Sequence, residues 1–123
     1  MKRAVLFLAA IALAGCQAAP PPATIGASDE AHALYRHLTE TVKTCWFAGD
    51  PAFAAFIYSP EVNADVPRIL IVPKKEANGR PVLVIEPKGA ASADVYGPLL
   101  AGPNGGRVRT DLGRWIKGGS DCV

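Results

Sequence analysis

The stretch "RILIVPKKEANGRPVLVI" (residues 68–85) decides the fold. Two apolar runs rich in β-branched residues, 68–72 and 81–85, flank the polar segment "KKEANGR". Asn78 and Gly79 inside that segment are a strong signal for a turn between antiparallel strands. Because both runs are continuously apolar rather than alternating, they predict strands that are central in a sheet or covered on both faces. The stretch therefore predicts a β-hairpin within an antiparallel sheet.

Weaker strand signals lie on either side of this hairpin. "FAAFIYS" (residues 53–59) precedes it, and "ADVYGPLLA" (residues 93–101) follows it. Pro98 favours an edge position for the later strand, because proline cannot donate a hydrogen bond to a neighbouring strand. "GPNGG" (residues 102–106) predicts a turn.

The C-terminal segment fits two patterns. Residues 107–110 predict a short fifth strand that leads into one or two helical turns over residues 111–117, with Asp111 as a candidate cap. The alternative is a continuous helix, because four apolar residues also fit helical spacing: Val108, Leu112, Trp115 and Ile116. We expect the strand followed by the helical turns.

An amphipathic helix is predicted before the sheet, over residues 28–47. Ser28 is a candidate N-cap, and Asp29 and Glu30 place negative charge in the first turn. Gly49 ends the helix. Apolar residues at helical spacing form one face: Ala31, Leu34, Tyr35, Leu38, Val42, Cys45 and Trp46. The whole pattern predicts an α+β fold, with one N-terminal amphipathic helix packed on a four- to five-stranded, mostly antiparallel sheet and a short C-terminal helical turn.

The first sixteen residues, "MKRAVLFLAAIALAGC", have a different pattern. Lys2 and Arg3 form a positive start, and an apolar run of roughly ten residues follows, as in a secretory signal. That run is too short to span a bilayer of ~30 Å as a helix. The closing residues "LAGC" resemble the lipobox of bacterial lipoproteins. The resemblance implies that residues 1–15 are removed and that Cys16 is lipidated.

On this interpretation the chain has three parts. Residues 1–15 are a signal peptide, residues 16–27 are a lipidated cysteine with a proline-rich tether, and residues 28–123 are a single domain. A polyproline tether at ~3.1 Å per residue reaches on the order of 30 Å. Two or more acyl chains, such as palmitate, hold a protein stably at a membrane. Gln17, rather than aspartate, favours the outer membrane over the inner one, so we expect an anchored domain that faces the periplasm.

Removal of the signal also changes the charge balance. The whole chain has 13 basic and 11 acidic residues, but Lys2 and Arg3 leave with the signal. The remaining chain holds 11 of each and is formally neutral. A neutral chain lacks the electrostatic attraction that carries most nucleic-acid binding, so we expect no nucleic-acid partner.

With Cys16 assigned to lipid, two cysteines remain. An even remainder in an exported protein indicates one disulfide, between Cys45 and Cys122. A redox or metal pair is the alternative, but the sequence has no CxxC, and no histidine is near either cysteine. We expect a structural bridge from the end of the helix to the last-but-one residue.

The sequence shows no recognisable catalytic pattern. His32 and His37 are five residues apart, so they cannot share a metal as an i, i+4 pair would. No serine lies in a G-x-S-x-G pattern, and no glycine loop has the lysine and hydroxyl of a phosphate-binding loop. "EVNAD" (residues 61–65) lacks the spacing and glycine of a calcium loop. We expect no catalytic residue, no metal and no cofactor.

Basic residues are unevenly distributed. Residues 68–88 hold five bases and two acids, and residues 107–117 hold four bases and one acid. If the two segments lie side by side, they form a basic binding surface of Arg68, Lys74, Lys75, Arg80, Arg107, Arg109 and Arg114. The alternative is that these charges only solvate the surface.

These observations favour a non-enzymatic function. We expect a lipid-anchored envelope domain that binds a protein or glycan partner as an accessory or scaffold. One alternative is an inhibitor of a lysozyme or protease that presents the loop 61–67 or 102–106. Another is a small hydrolase that uses His37 or His32 with a carboxylate from the sheet.

Overall fold

The computed structural model describes residues 28–61 and 65–123, together with Gly15. These residues form, in chain order, α1 (Asp29–Trp46), β1 (Phe56–Glu61), β2 (Arg68–Pro73), β3 (Leu83–Pro87), β4 (Ala93–Tyr96) and α2 (Gly105–Ile116). Each strand is antiparallel to the next, in the order β1-β2-β3-β4. The predicted α+β fold is therefore confirmed, with α1 packed on β2 and β3 of the antiparallel sheet.

The two ends of α1 follow local signals in the sequence. Ser28 caps the helix, since its Oγ accepts a hydrogen bond of 3.1 Å from the backbone N–H of Ala31. At the other end the chain turns at Gly49, which has a φ of +104°. Between them the apolar stripe is buried against the sheet and α2. α1 is thus held both by its own cap and by packing.

The sheet has one covered face and one open face. Ile69 and Ile71 of β2 and Leu83 and Ile85 of β3 are fully buried on the covered face. The register places Ile69 opposite Ile85 and Ile71 opposite Leu83, so the four side chains form one layer. Helix residues complete this core, among them Leu38, Val42, Trp46, Val108, Leu112 and Trp115.

The prediction for the C-terminal segment is wrong. Residues 107–110 are not a fifth strand but part of α2, which is 12 residues long. Val108, Leu112 and Trp115 are all buried, and a helix places the three on one side. A strand over residues 107–110 would interrupt the i, i+4, i+7 spacing that joins Val108 to Leu112 and Trp115. Burial of Val108 on the same side as the other two therefore selects the helix.

The predicted role of Asp111 is also wrong. Asp111 lies inside α2 rather than at its start, and it is only 4 % exposed. Its carboxylate accepts a hydrogen bond of 2.9 Å from the indole N–H of Trp46. The residue joins the two helices instead of capping one.

Strand boundaries differ from the predicted ones by a few residues. β1 starts at Phe56, because Pro51–Phe53 forms a 3-10 turn that Asp50 caps. β3 starts at Leu83 and not at Pro81, which has no N–H to donate. The hairpin linker between β2 and β3 contains a further 3-10 turn, Lys74–Glu76, before Asn78 and Gly79.

The last strand has the predicted position at the sheet edge. β4 ends at Tyr96, and Pro98–Ala101 forms a separate 3-10 turn. The strand pairs only with β3 among the described residues, which confirms the edge position. The continuously apolar β2 and β3 are the two central strands of the sheet, as expected.

Gly97 is a tightly packed point at the start of the connection after β4. Its φ is +139°, and a Cβ at this position would overlap the carbonyl oxygen of Val82. We expect Gly97→Ala to lower the free energy of unfolding by about 2 kcal/mol in urea denaturation. Gly113→Ala in α2 is the matched control, because its Cβ meets no atom within 4 Å and alanine favours a helix by ~1 kcal/mol. Wild-type stability of Gly97→Ala would contradict this account.

The C-terminal segment is fastened to both helices. Cys45 and Cys122 form the expected disulfide, which joins the last turn of α1 to the end of the chain. The indole N–H of Trp115 donates a 2.7 Å hydrogen bond to the carbonyl of Asp121. His37 Nε2 lies 2.9 Å from the carbonyl oxygen of Gly119. The last residues therefore close the core on the side of α1 and α2.

Several predictions fall outside the described residues. Residues 1–14 and 16–27 carry the predicted signal peptide, the lipidation of Cys16 and the tether. Residues 62–64 belong to one of the two proposed inhibitory loops. In the part of the chain that is described, neither helix has the length and apolar character needed to cross a membrane.

Candidate functional site

The structure divides the predicted basic surface into separate groups. Arg68 lies on the open face of the sheet, where its guanidinium is 2.7 Å from the carboxylate of Glu61. On α2, Arg109 donates to the carbonyl of Leu100 at 2.9 Å, and Arg114 pairs with Asp111 at 2.9 Å. These three arginines make internal contacts and do not share one patch.

Three other basic residues lie together at the end of the β2–β3 hairpin. We define the hairpin tip as residues 74–80, all of which are exposed. It carries Lys74, Lys75 and Arg80, and none of these forms an ion pair with another described residue. Glu76 is the single acid of the tip. The hairpin tip is thus a small region of excess positive charge.

An aromatic cavity lies beside the hairpin tip, at the C-terminal end of α1. Its volume is about 230 Å³. The walls come from α1, from the segment that follows it and from the start of β1 and of the hairpin: Trp46, Phe47, Gly49, Asp50, Pro51, Phe53, Ala54, Phe56 and Lys74. The rings of Trp46 and Phe53 stack at a centroid distance of 4.6 Å, and Phe47 packs against Phe53 at 5.9 Å. This packing gives the cavity a rigid wall.

Asp50 supplies the acidic group of the aromatic cavity. Its carboxylate pairs with Arg107 of α2 and accepts a 2.9 Å hydrogen bond from the N–H of Ala52. The Arg107 hydrogen bond, with help from Ala52, holds the pKa of Asp50 below its usual range. The same hydrogen bond raises the pKa of Arg107. Of the predicted binding residues, Arg107 thus pairs with Asp50, and Lys74 lines the same cavity as Asp50.

Protonation of Asp50 in acid should lower the stability of the fold. A carboxyl whose folded pKa is lowered stabilises the protein at neutral pH, and this contribution is lost as the pH falls through that lowered pKa. We expect unfolding free energies from urea denaturation to fall below about pH 4, and to fall less steeply in Asp50→Asn. Asp94→Asn is the control for loss of an exposed carboxylate. A wild-type pH slope in Asp50→Asn would contradict the role of this ion pair.

The open face of the sheet has an apolar centre. Ile57, Leu70, Val72, Val84 and Tyr96 lie on it, across all four strands. Ile57 is 37 % exposed and Tyr96 is 49 % exposed. Both helices pack on the other face, so no described element covers this one. Val72 and Val84, which lie between Ile57 and Tyr96, are only 5 % and 7 % exposed, so the exposed apolar area is at Ile57 and Tyr96 on the two edge strands. Exposed apolar side chains on an uncovered sheet face are candidates for an interaction site.

A row of charged residues borders this apolar centre. The register aligns Glu61 with Arg68, and Glu86 with Asp94, at the same end of the open face. Lys88 pairs with Glu86 and lies 3.7 Å from Asp94. The hydrogen bond that Lys88 donates to Glu86 lowers the pKa of Glu86 and raises the pKa of Lys88. The charges of this rim are therefore largely satisfied within the protein.

The two histidines are held by backbone groups. His32 Nδ1 lies 3.0 Å from the carbonyl oxygen of Ser28, and His37 binds Gly119 as described above. His37 also lines a cleft of about 320 Å³, whose floor includes Leu34 and Ile116. Within residues 28–61 and 65–123, neither ring hydrogen-bonds to a carboxylate. The same residues contain no cluster of three or more His, Cys, Asp or Glu side chains able to hold a metal.

The segment 102–106, one proposed inhibitory loop, is packed against the domain. Gly105 is buried, and a Cβ there would overlap the carbonyl of Leu100. Asn104 lies at the start of α2 with its Nδ2 donating to the carbonyl of Ala52 at 3.4 Å. This geometry does not resemble a protruding loop.

Sequence reasoning missed the open face and the aromatic cavity. Alternation in β1, where Ile57 and Ser59 share one side, was the available signal for the open face. The cavity had no recognisable motif: most of its lining falls within residues 46–56, and only the folded chain brings Lys74 beside that segment. Comparison of the chain with known protein families, with curated proteins and with solved structures finds no match.

Proposed function

We propose that this chain is a lipid-anchored envelope lipoprotein that faces the periplasm and acts as a non-enzymatic accessory or scaffold domain. The open face of the sheet is its docking surface for a partner protein. One observation carries the proposal: Ile57 and Tyr96 expose apolar surface on a sheet face that no described element covers, and a self-paired charged rim borders that face. Protein interfaces commonly have this arrangement, with tyrosine enriched among the residues that dominate affinity.

Two observations support the proposed location in the periplasm. The "LAGC" pattern that ends at Cys16 resembles a lipobox. The Cys45–Cys122 disulfide is typical of proteins in an oxidising compartment such as the periplasm. Both observations favour export.

The chemistry of the open face defines the kind of partner. Arg68 and Lys88 already have carboxylate partners, so a docking protein has little to gain from opposite charges at the rim. Tyr96 and Ile57 instead offer apolar area that water now contacts. We therefore propose a partner with a complementary apolar surface, whose binding depends weakly on salt.

Crosslinking in intact cells tests the docking surface. A photo-reactive amino acid is placed at position 57 or 96, and at Lys43 on the exposed side of α1 as a control. The expected result is one partner of the same mass from positions 57 and 96, and none from position 43. With that partner purified, Ile57→Ala combined with Tyr96→Ala should lower affinity at least tenfold while the melting temperature changes little. Equal capture from all three positions, or unchanged affinity of the double variant, would refute the docking surface.

Fractionation tests the anchor separately. Cys16→Ser removes the proposed lipid site and should release the protein from the membrane fraction in an unprocessed form. The double variant Cys45→Ala with Cys122→Ala is the matched cysteine control and should stay in the membrane fraction. Membrane association and gel mobility of Cys16→Ser that equal wild type would exclude lipidation at this residue.

A further inference from the structure

We propose that the aromatic cavity and the hairpin tip together bind a sugar ring that carries a carboxylate, as in an acidic glycan. This site is distinct from the open face and does not depend on which protein docks there. Its three parts are an aromatic wall, an oriented carboxylate and a cluster of unpaired cations, and each matches one part of such a ligand.

The aromatic wall suits the apolar face of a sugar ring. The cavity is about 230 Å³, which is enough for a single ring and too small for a folded peptide element. The accessible ring surface comes from Phe47 and Phe56, which are half-buried, while the fully buried Trp46 and Phe53 support the cavity from behind. Small-molecule sites typically combine such apolar walls with a few fixed polar groups.

Asp50 is the fixed polar group. Arg107 and the N–H of Ala52 hold its carboxylate in one orientation, and Asp50 keeps part of its surface exposed in the cavity. A carboxylate that is already oriented can accept a hydrogen bond from a sugar hydroxyl at a small entropic cost. A second hydroxyl on the same edge of the sugar could donate to the other oxygen of the carboxylate and would favour a sugar ring further.

The cations explain why the ligand should be acidic. Lys74 lines the cavity, and Lys75 and Arg80 continue the positive charge along the hairpin tip. These cations have no ion-pair partner among the described residues, so an incoming carboxylate does not have to displace one. A polymer of such units would place one ring in the cavity and its neighbours along the tip.

The position of the site fits a ligand far from the anchor. The cavity lies at the C-terminal end of α1, while the chain enters the domain at Ser28. These ends are about 27 Å apart, since α1 has 18 residues at ~1.5 Å each. On the proposed function, the site is therefore presented away from the membrane that holds the lipid.

A titration of the full-length chain in detergent tests this site. The probes are a galacturonic acid tetramer, its methyl ester and a short polyglutamate, which separate the ring from the charge. The readout is tryptophan fluorescence at low salt, because the buried Trp46 lies directly behind the cavity. The expected result is saturable binding of the tetramer, binding at least tenfold weaker for the ester, and no saturable change with polyglutamate. Equal binding of polyglutamate would show that the site selects negative charge and not a sugar ring, which would overturn the proposal. The absence of a response to the tetramer would overturn it as well.

Two variants locate the binding. Lys74→Ala should weaken binding of the galacturonate tetramer by about tenfold, since one charge-assisted contact is lost. Lys117→Ala removes the same charge from the end of α2, away from the cavity, and should bind as wild type. Equal weakening by both variants would overturn the site. Because this assay uses no partner protein, its failure leaves the crosslinking test of the open face unaffected.

Discussion

Replacing Cys45 and Cys122 together by alanine is expected to lower the free energy of unfolding by about 2–5 kcal/mol. The bridge joins residues 77 apart in sequence, so it removes a large amount of conformational freedom from the unfolded chain. A loop of this length corresponds to about 4–5 kcal/mol in the chain-entropy description. The folded state also loses the restraint that holds the C-terminal segment on α1 and α2.

Urea denaturation of both proteins, with and without a reductant, measures this effect. Wild type should lose stability on reduction and approach the double alanine variant, whereas the reductant should leave that variant unchanged. The m-value should rise in the variant, because its unfolded chain is no longer cross-linked and exposes more surface. Equal stability of wild type and the variant under oxidising conditions would contradict a structural role for the bridge.

Asp111→Ala is expected to cost about 3 kcal/mol, near the lower end of the effect of breaking a buried charged network. Asp111 accepts from the indole of Trp46 and from Arg114, each at 2.9 Å, and lies 3.4 Å from Arg107. Alanine leaves the buried Trp46 N–H without its partner and both guanidiniums without this carboxylate. The arginine side chains are about one-third exposed, so solvent screens part of the loss.

Asp111→Asn and Trp46→Phe separate the components of this effect. Asparagine keeps an oxygen for the indole N–H but removes the charge, so it should cost less than alanine. A double-mutant cycle of Asp111→Ala with Trp46→Phe should give a coupling energy of about 1 kcal/mol or more, because each single change breaks the same hydrogen bond. A loss below about 0.5 kcal/mol for Asp111→Ala would show that the network does not stabilise the protein.

The Asp111 network also links the core to the proposed sugar site. Asp111 orients Trp46, which forms the inner wall of the aromatic cavity, and Arg107 contacts both Asp111 and Asp50. Packing between α1 and α2 therefore sets the geometry of the cavity, although α2 supplies none of its described walls.

Local chemistry determined much of this fold. The β2–β3 hairpin could be predicted because two apolar runs flank Asn78 and Gly79. α1 could be predicted because its cap and its apolar stripe agree. The disulfide followed once Cys16 was assigned to lipid, since two cysteines then remained for one bridge.

Tertiary structure decided the rest. Val108 fits a strand as well as a helix, and its burial in one core with Leu112 and Trp115 selects α2. The spacing of Arg107, Asp111 and Arg114 gives ion pairs only if the segment is helical, which the structure decides. The pair between Arg107 and Asp50 joins residues far apart in sequence, so only the tertiary structure shows it. The open face also depends on tertiary structure. Side chains alternate along every strand, but the positions of the two helices decide which side of the sheet stays uncovered.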